Sequence, residues 1–256
     1  MIFLLGGNGF VGSGFVRAME TRGLAFRVIT RANYAEFAGQ ECDLFINANG
    51  NSSKLLGRDN PKLDFQASVA SVRDSLCDFR FRRYLFLSTS DIYPDCSSPE
   101  ITRETETPPV ERQSPYGFHK YLAEQLVRHA APDWMVVRQG GFVGPGLKKN
   151  AVYDVLNADR IWVHPESRFQ YIHVDDSAHA ILDLLDRAPR NEIYNLTARG
   201  TVAVQDVMAL AGRTCTAPDD ARPATYEIST DKAAQYVDLP TTRDCVMRYL
   251  TEQGMG

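Results

Sequence analysis

A tyrosine and a lysine that share one face of a helix can move a proton together. Tyr116 and Lys120 stand four residues apart near the start of a segment with helical periodicity, so they share such a face. A free phenol has a pKa of about 10 and is a poor base at neutral pH. A neighbouring ammonium favours the phenolate and lowers that pKa, which makes the pair a sensible acid/base unit. Alone, the same spacing more often marks a solvated helix face.

A run of hydroxyl-bearing residues ends an apolar segment upstream of this pair. Ser88, Thr89 and Ser90 directly follow Leu85-Phe86-Leu87, and the carboxyl ends of parallel strands are where such sheets bind ligands. A hydroxyl in that position can hydrogen-bond the oxygen of a reacting carbonyl group. Asp91 comes next, and its carboxylate suits proton transfer and the capping of a turn before Pro94 equally well.

Glycines recur at three-residue intervals near the N-terminus. Gly6, Gly9 and Gly12 follow the first apolar segment and open a predicted helix. Glycines let the backbone approach a pyrophosphate closely, and a helix N-terminus adds N–H donors and the positive end of its dipole. The position between a strand and a helix favours dinucleotide binding over an ordinary glycine-rich turn. The predicted contacts are Gly6, Asn8, Gly9, Phe10, Val11 and Gly12.

The end of the second predicted strand bears on the choice of cofactor. An acidic residue there would bind the ribose hydroxyls of NAD, but the sequence reads Val28-Ile29-Thr30-Arg31. A guanidinium at Arg31 suits a 2′-phosphate, and Thr30 lies beside it. We therefore favour NADP(H), with NAD(H) as the alternative. The plainer interpretation of Arg31 is a surface side chain.

Short apolar segments alternate with helical periodicity in the first half of the chain, which predicts parallel βαβ units. The near-continuous apolar character of the strands indicates a sheet covered on both faces. The predicted strands are Ile2–Leu5, Phe26–Thr30, Asp43–Ala48, Tyr84–Ser88, Trp134–Arg138 and Glu192–Leu196. The predicted helices are Phe10–Arg22, Asp64–Phe79, Pro115–Ala130, Asp176–Leu185 and Val204–Ala211.

The spacing of these elements predicts the domain organisation. Only about a dozen residues separate the second strand from the third, enough for a single crossover helix. A full dinucleotide-binding sheet has another strand and helix here, so we expect one edge strand to be missing. After Arg138 the apolar periodicity weakens. We assign residues 1–140 and 170–198 to a dinucleotide-binding domain, and residues 141–169 and 199–256 to a small, discontinuous substrate lobe.

Composition excludes several other classes of protein. The chain has 256 residues, 44% of them hydrophobic and 23% charged, which is typical of a globular protein. A net charge of -4 and the lack of long Lys/Arg runs argue against nucleic-acid binding. We find no apolar stretch long enough to span a bilayer and no signal peptide. Five widely spaced cysteines without a C-x-x-C pair favour a reduced, cytoplasmic protein without a metal site.

The glycine loop, the Ser-Thr-Ser strand end and Tyr116-x-x-x-Lys120, in that order, resemble the extended short-chain dehydrogenase/reductase family, and within it the nucleotide-sugar epimerase/dehydratase branch. Further similar runs are Gly144-Pro145-Gly146, Tyr171-Ile172-His173-Val174-Asp175-Asp176 and Tyr194-Asn195-Leu196. The resemblance implies an α/β fold with a Rossmann-type doubly wound parallel sheet. It also implies that Thr89, Tyr116 and Lys120 form a catalytic triad of hydroxyl, acid/base and cation, with Asp91 as a further catalytic group. Additional cofactor contacts are implied at Ala48, Asn49, Leu87, Tyr116 and Lys120.

The same resemblance implies a nucleotide sugar as the small-molecule substrate, bound by Ser90, Gly141, Arg168 and Arg222. Two positions depart from the family pattern. Gly141 stands where many members carry a substrate-binding asparagine, and Phe169 occupies the place of a common arginine, with Arg168 one residue earlier. Family members often dimerise, which here implies a homodimer through the helices predicted at 64–79 and 115–130.

Several runs favour a 4-keto-sugar reductase over an epimerase or a dehydratase. Ile46-Asn47-Ala48, Arg222-Pro223 and Ser229-Thr230-Asp231-Lys232 are similar to runs in that group of reductases. All three activities share hydride transfer at the sugar, usually at C4, but only a reductase releases an oxidised cofactor. Two other functions stay open, a reductase of non-sugar carbonyls and a non-catalytic NADP(H)-binding sensor. His119, inside the Tyr/Lys helix, is expected at the surface.

Overall fold

A six-stranded parallel sheet forms the centre of the fold. The computed structural model describes residues 1–255. The strands of the sheet are β1 (Ile2–Leu5), β2 (Phe26–Ile29), β3 (Glu41–Asn47), β4 (Arg80–Thr89), β5 (Trp134–Gln139) and β9 (Glu192–Leu196). Their order is β2-β1-β3-β4-β5-β9, and every neighbouring pair is parallel. The doubly wound α/β fold implied by the sequence is confirmed.

Helices and two small sheets complete the described part of the chain. The helices are α1 (Phe10–Thr21), α2 (Tyr34–Phe37), α3 (Lys54–Asp59), α4 (Pro61–Phe65), α5 (Ser71–Asp78), α6 (Pro115–Ala130), α7 (Ala151–Asn157), α8 (Val174–Arg187), α9 (Val204–Leu210) and α10 (Thr242–Glu252). Strand β6 (Gly141–Val143) pairs with β8 (Tyr171–His173), and β7 (Arg168–Phe169) lies between β10 (Val202–Ala203) and β11 (Thr225–Tyr226). Within residues 1–255, no helix has the length and apolar character needed to cross a membrane.

Side chains alternate along the central strands and fill a core on each face of the sheet. On β4, Leu85 and Leu87 belong to one core, whereas Tyr84 and Phe86 belong to the other. Successive residues of a strand face opposite sides, and both sides are apolar here because helices cover both. Helices α1 and α8 pack on the first face, and α5 and α6 on the second.

The predicted loss of an edge strand is confirmed. Strand β2 is the outermost strand, beside β1. Between β2 and β3 the chain forms only the four-residue helix α2. The short connection leaves β2 as the edge, because a further parallel strand would need a crossover of its own.

The helix expected at Asp64–Phe79 begins earlier and is not uniform. Its first turn starts at Pro61, because the Asn60 side chain caps it by accepting a hydrogen bond from the Leu63 amide at 3.2 Å. A π-helical turn at Gln66–Ala70 then separates α4 from α5. π-helical turns are rare in proteins, and those that occur are often found at functional sites.

The division of the chain into two domains stays a prediction. Strands β7, β10 and β11 all come from residues assigned to the substrate lobe. Strand β8, from the residues assigned to the dinucleotide-binding domain, pairs instead with β6 from the lobe. The two parts are therefore joined by backbone hydrogen bonds as well as by side chains.

A buried ion pair fastens helix α6 to the sheet. The Arg138 guanidinium on β5 donates to the Glu124 carboxylate on α6, with Nη2 2.8 Å from Oε2. Ser88 on β4 donates to the other carboxylate oxygen at 2.5 Å. Arg138 also donates to the Tyr93 hydroxyl at 2.8 Å, and that hydroxyl donates to the Asn195 side chain on β9 at 3.1 Å. This network joins three strands and one helix in the interior.

Removing one partner of this ion pair should destabilise the fold strongly. Arg138→Met leaves the Glu124 carboxylate buried without its cation, a change that typically costs about 3–5 kcal/mol. The free energy of unfolding, measured by urea denaturation, is expected to fall by that amount. The double variant Arg138→Met/Glu124→Leu removes both charges and should recover much of the loss. A loss below about 1 kcal/mol in the single variant would contradict the role of the network.

Candidate active site

Helix α6 presents Tyr116 and Lys120 toward the end of strand β4. Both side chains are buried. The Lys120 Nζ atom donates to the Leu87 carbonyl oxygen at 3.1 Å. Since Leu87 lies two residues before Thr89 on β4, this bond ties the lysine to the strand that carries the predicted catalytic hydroxyl.

A glycine in the first turn of α6 lets the strand end approach the helix. The Ser114 hydroxyl caps α6 by accepting a hydrogen bond from the Gly117 amide at 3.1 Å. A Cβ atom on Gly117 would overlap the Asp91 carbonyl oxygen. The turn after β4 therefore packs directly on the helix, which brings Thr89 and Asp91 beside Tyr116.

The surroundings of the two groups set their protonation. Burial raises the pKa of the Tyr116 phenol well above its ordinary value, the Asp91 carboxylate adds to the rise, and a hydrogen bond with the Thr89 hydroxyl opposes it. Burial lowers the pKa of Lys120 to about 8, against the effect of two nearby carboxylates. The net shift of the Tyr116 pKa is opposite to the lowering expected from its spacing to Lys120, because the effect of burial is the largest. At neutral pH the phenol is protonated and able to donate a proton, while Lys120 is charged, since its pKa is about 8.

Asp91 lies in a cluster of polar side chains. The turn after β4 is capped by the Thr89 hydroxyl, which accepts from the Asp91 amide at 3.2 Å, so the cap is not the Asp91 carboxylate. That carboxylate accepts a hydrogen bond from the Tyr226 hydroxyl at 2.8 Å and forms an ion pair with Lys54 at 2.5 Å. The Tyr226 hydroxyl is also 2.9 Å from the Ser90 Oγ atom. Asp91 is therefore engaged by side chains from two other parts of the chain.

The glycine loop leaves no room for side chains at its turns. Gly6 has a φ angle of +87°, and a Cβ atom there would lie 2.9 Å from the backbone of Ala48 and Asn49. A Cβ atom on Gly12 would overlap the Gly6 carbonyl oxygen. Helix α1 follows Gly9 with no side-chain cap. Its first amide groups are therefore of the kind that bind an anion.

The other predicted cofactor residues flank this loop. Asn8 is exposed, and the Phe10 ring packs edge-on against Phe142 with centroids 6.1 Å apart. Val11 packs on the core, and Leu87 is buried with its carbonyl oxygen facing Lys120. The loop, the Ala48–Asn49 segment and Leu87 thus follow or lie near the carboxyl ends of three neighbouring strands, β1, β3 and β4.

A side chain that the sequence reasoning missed shapes the end of β2. The Asn33 Oδ1 atom accepts hydrogen bonds from the Thr30 amide at 2.7 Å and from the Thr30 hydroxyl at 3.1 Å. Arg31 is exposed at the tip of this turn. In the described part of the chain it forms no ion pair. An Asn just after a strand end is a recognisable turn signal, and Asn33 lies four residues after the end of β2.

The predicted sugar contacts fall into two groups. Ser90 lies in the Asp91 cluster, but Gly141 has no room for a side chain, because a Cβ atom would lie 2.6 Å from the Gln170 carbonyl oxygen. Arg168 is exposed and donates to the Thr201 hydroxyl at 3.0 Å. Arg222 is exposed too. Neither arginine has a hydrogen bond to the triad within residues 1–255.

The expectation for His119 is wrong. Its side chain is buried, and its Nδ1 atom lies 2.7 Å from a carboxylate oxygen of the fully buried Asp64. A polar ring can be buried where a partner satisfies it, and that partner comes from a different helix. Tyr226 and Lys54 were also missed, because they reach Asp91 from distant segments. Among residues 1–255, no cluster of three His, Cys, Asp or Glu side chains is arranged to hold a metal ion.

The profile of one protein family covers this site. The NAD dependent epimerase/dehydratase family matches residues 2–197, which is more than half of the chain. That range contains the glycine loop, the end of β4, and the helix with Tyr116 and Lys120. A search of curated proteins found no match.

Solved structures share the fold at low sequence identity. The chain is similar to a UDP-galactose 4-epimerase, with 19% identity, 99% of this chain and 98% of that chain covered, and a TM-score of 0.80. It is similar to a dTDP-4-dehydrorhamnose reductase from Bacillus anthracis str. Ames in complex with NADP, with 15% identity, 98% of each chain covered and a TM-score of 0.79. It is also similar to a variant of UDP-glucuronic acid 4-epimerase from Bacillus cereus in complex with NAD, with 16% identity, 98% and 99% covered, and a TM-score of 0.77. These likenesses show the fold.

Gly117→Ala tests the close approach that brings Thr89 to Tyr116. The new methyl group would overlap the Asp91 carbonyl oxygen, so the turn or the helix must move. Overpacking typically costs about 1–3 kcal/mol, and we expect the free energy of unfolding to fall by that amount. Helix propensity alone would have the opposite sign, since Ala is favoured over Gly by about 0.5–1 kcal/mol. An increase in stability, measured by urea denaturation, would therefore contradict the close approach.

Proposed function

We propose a function from one premise: the chain belongs to the NAD dependent epimerase/dehydratase family. Within that family, we infer a reductase that uses NADPH to reduce the 4-keto group of a nucleotide sugar. The similar structures include a reductase in complex with NADP and two 4-epimerases of UDP-sugars. The proposed class of substrate agrees with those relatives.

One observation carries the proposal. Thr89, Tyr116 and Lys120 come together at the carboxyl end of β4, where the buried lysine is held by the Leu87 carbonyl oxygen and the phenol has the Thr89 hydroxyl as a neighbour. The bare glycine loop lies at the end of β1 in the same sheet. A proton donor and a dinucleotide site on one edge are what carbonyl reduction requires.

The residues around the glycine loop fit a dinucleotide. The close backbone packing of Gly6 and Gly12 and the uncapped start of α1 suit a pyrophosphate. The exposed Arg31 guanidinium suits a 2′-phosphate. A bound nicotinamide would supply the hydride. The proposed contacts are Gly6, Asn8, Gly9, Phe10, Val11, Gly12, Thr30, Arg31, Ala48, Asn49 and Leu87.

Tyr116 is the proposed proton donor. A phenol with its ordinary pKa of about 10 is already protonated at neutral pH, and burial and Asp91 raise the pKa of Tyr116 further. The phenol can therefore give a proton to a carbonyl oxygen that gains negative charge. The Thr89 hydroxyl can donate a hydrogen bond to the same oxygen. Lys120, which is charged below its pKa of about 8, stabilises the phenolate that remains.

The partners of Asp91 favour reduction over the elimination of water. A base that removes a proton from a sugar carbon needs a carboxylate that is free to accept it. The Asp91 carboxylate is instead paired with Lys54 and accepts a hydrogen bond from Tyr226. We therefore assign Asp91 to shaping the sugar end of the site. Ser90 is the proposed sugar contact in this cluster, and roles for Gly141, Arg168 and Arg222 stay predictions.

Tyr116→Phe should abolish reduction and leave cofactor binding nearly unchanged. The phenyl ring keeps its packing but has no proton to give, and loss of a general acid typically costs about 10²–10⁴-fold in rate. The kcat is measured from NADPH oxidation with a panel of nucleotide-activated 4-keto sugars. The Kd for NADPH serves as the control.

Two outcomes would count against this assignment. Turnover of the Tyr116→Phe variant at the wild-type rate would remove Tyr116 from the mechanism. Tight NADPH binding by the wild-type protein without turnover of any carbonyl substrate would favour the sensor function.

Arg31→Ala should weaken NADPH binding far more than NADH binding. The variant removes a cation that can bind the 2′-phosphate, and NADH lacks that group. We expect the Kd for NADPH to rise about tenfold or more, which corresponds to about 1.4 kcal/mol. Arg27→Ala, on the exposed side of β2, is the matched control and should change neither Kd. Equal effects of Arg31→Ala on both cofactors would contradict the proposed phosphate contact.

A further inference from the structure

A carboxylate with no exposure to solvent lies behind the catalytic helix. Asp64 on α4 is fully buried. Its Oδ1 atom accepts hydrogen bonds from the Asn51 side chain at 2.8 Å and from the Ser68 hydroxyl at 3.0 Å. Its Oδ2 atom lies 2.7 Å from the His119 Nδ1 atom. A buried carboxylate with three polar partners is held in one position, and nothing in the proposed reaction uses it.

Only Gly57 lies between Asp64 and Tyr116, and it contacts both side chains. A Cβ atom on Gly57 would lie 2.9 Å from the Tyr116 Cβ atom and 3.0 Å from the Asp64 Oδ2 atom. Gly57 is buried between them. The carboxylate therefore belongs to the layer directly behind the proposed proton donor.

The loop that Asp64 holds also meets Lys120. A Cβ atom on Gly50 would lie 3.4 Å from the Lys120 Nζ atom and 4.0 Å from the Ser68 Oγ atom. Asn51 is the next residue of that loop and donates to Asp64. Ser68 lies in the π-helical turn that interrupts the helical segment after α4. One carboxylate thus fixes both elements that border the ammonium group.

We propose that Asp64 is a positioning residue for Lys120. Its hydrogen bonds hold the Gly50–Asn51 loop and the π-helical turn around the ammonium group, and its negative charge keeps that group protonated. The His119 ring is the hydrogen-bond partner of the other Asp64 carboxylate oxygen, Oδ2. The effect on catalysis rests on the proposed function, whereas the effect on the charge of Lys120 does not.

The charge balance around Lys120 supports this role. Burial lowers the pKa of Lys120 to about 8, and the carboxylates of Glu124 and Asp64 are the two charges that oppose the fall. Glu124 has the larger effect but is paired with the Arg138 guanidinium, so part of its field is cancelled. Asp64 has no arginine or lysine partner in the described residues, and the ionisable group hydrogen-bonded to it is the His119 ring. Two further ionisable groups lie on α6 near Lys120: the His119 ring, which is paired with Asp64, and the Tyr116 phenol, whose raised pKa keeps it neutral at neutral pH.

The Asp64 charge determines the pH at which Lys120 loses its proton. Loss of the Asp64 charge lowers the pKa of Lys120 further, because an opposite charge that favours the ammonium form is gone. Lys120 then becomes neutral at a lower pH. Reduction that needs the ammonium group should therefore fail at a lower pH as well. A role of Asp64 in packing alone would lower activity equally across the pH range.

The first experiment compares pH profiles of kcat. Asp64→Asn should move the alkaline limb of the profile to lower pH by about 1 unit. Asp74→Asn is the matched control, because it removes the same charge from a half-exposed side chain on α5 that is paired with Arg73, and its limb should not move. An Asp64→Asn profile that is lower but unshifted would overturn the proposal.

The second experiment needs neither substrate nor cofactor. A double-mutant cycle of Asp64→Asn and Lys120→Met is measured by urea unfolding at a pH well below and a pH well above about 8, the pKa of Lys120. We expect a coupling that corresponds to about a tenfold change in the Lys120 dissociation constant, or about 1.4 kcal/mol, at the lower pH only. Coupling that is absent at both pH values, or equal at both, would overturn the proposal.

The two experiments separate the proposals. A protein with no turnover but with pH-dependent coupling would disprove the reductase and leave the Asp64–Lys120 interaction standing. Turnover with an unshifted limb and no coupling would disprove the positioning role alone.

If Asp64→Asn lowers stability too far for the cycle, Ser68→Ala with Asn51→Ala removes two of the hydrogen bonds and keeps the charge. That pair should then lower kcat without moving the limb, and a moved limb would contradict the separation of charge and position.

Discussion

The ion pair between Glu124 and Arg138 is the interaction on which the rest of the structure depends. Two charges in the interior are stable together only when the geometry is good and the remaining polar atoms have partners. Ser88 and Tyr93 supply those partners. Because Glu124 lies one helical turn after Lys120, this pair fixes the rotation of α6 about its own axis. That rotation decides whether the lysine and Tyr116 face the end of β4 or face solvent.

Once α6 has this orientation, three glycines allow the elements around it to approach closely enough to form the site. Gly117 lets the Asp91 carbonyl oxygen contact α6. Gly57 lets Asp64 lie close to Tyr116. Gly6 lets the glycine loop pack on the residues that follow β3. Each contact needs a residue without a side chain, since a Cβ atom would meet its neighbour at 3.0 Å or less. The site is therefore built from rigid elements in direct contact, and this suits a reaction that depends on the placement of one proton and one hydride.

Features that depend on nearby residues could be predicted from the sequence, and features that depend on packing could not. The six strands, the short β2–β3 connection and the face shared by Tyr116 and Lys120 follow from periodicity and spacing. The pairing of His119 with Asp64 joins residues 55 positions apart, and the contacts of Asp91 with Tyr226 and Lys54 come from other parts of the chain. No local pattern encodes such pairs. The prediction that His119 lies at the surface was wrong because its partner could not be seen in its own helix.

The central claim is that this site reduces a carbonyl carbon with a hydride from NADPH while Tyr116 supplies the proton. The most direct test is to supply NADPH carrying deuterium at the transferable position together with nucleotide-activated 4-keto sugars, and to locate the label by mass spectrometry and NMR. The account predicts deuterium at C4 of the sugar and one oxidised cofactor released for each product formed. A product without deuterium, or one formed while the cofactor stays at its starting redox state, would contradict it.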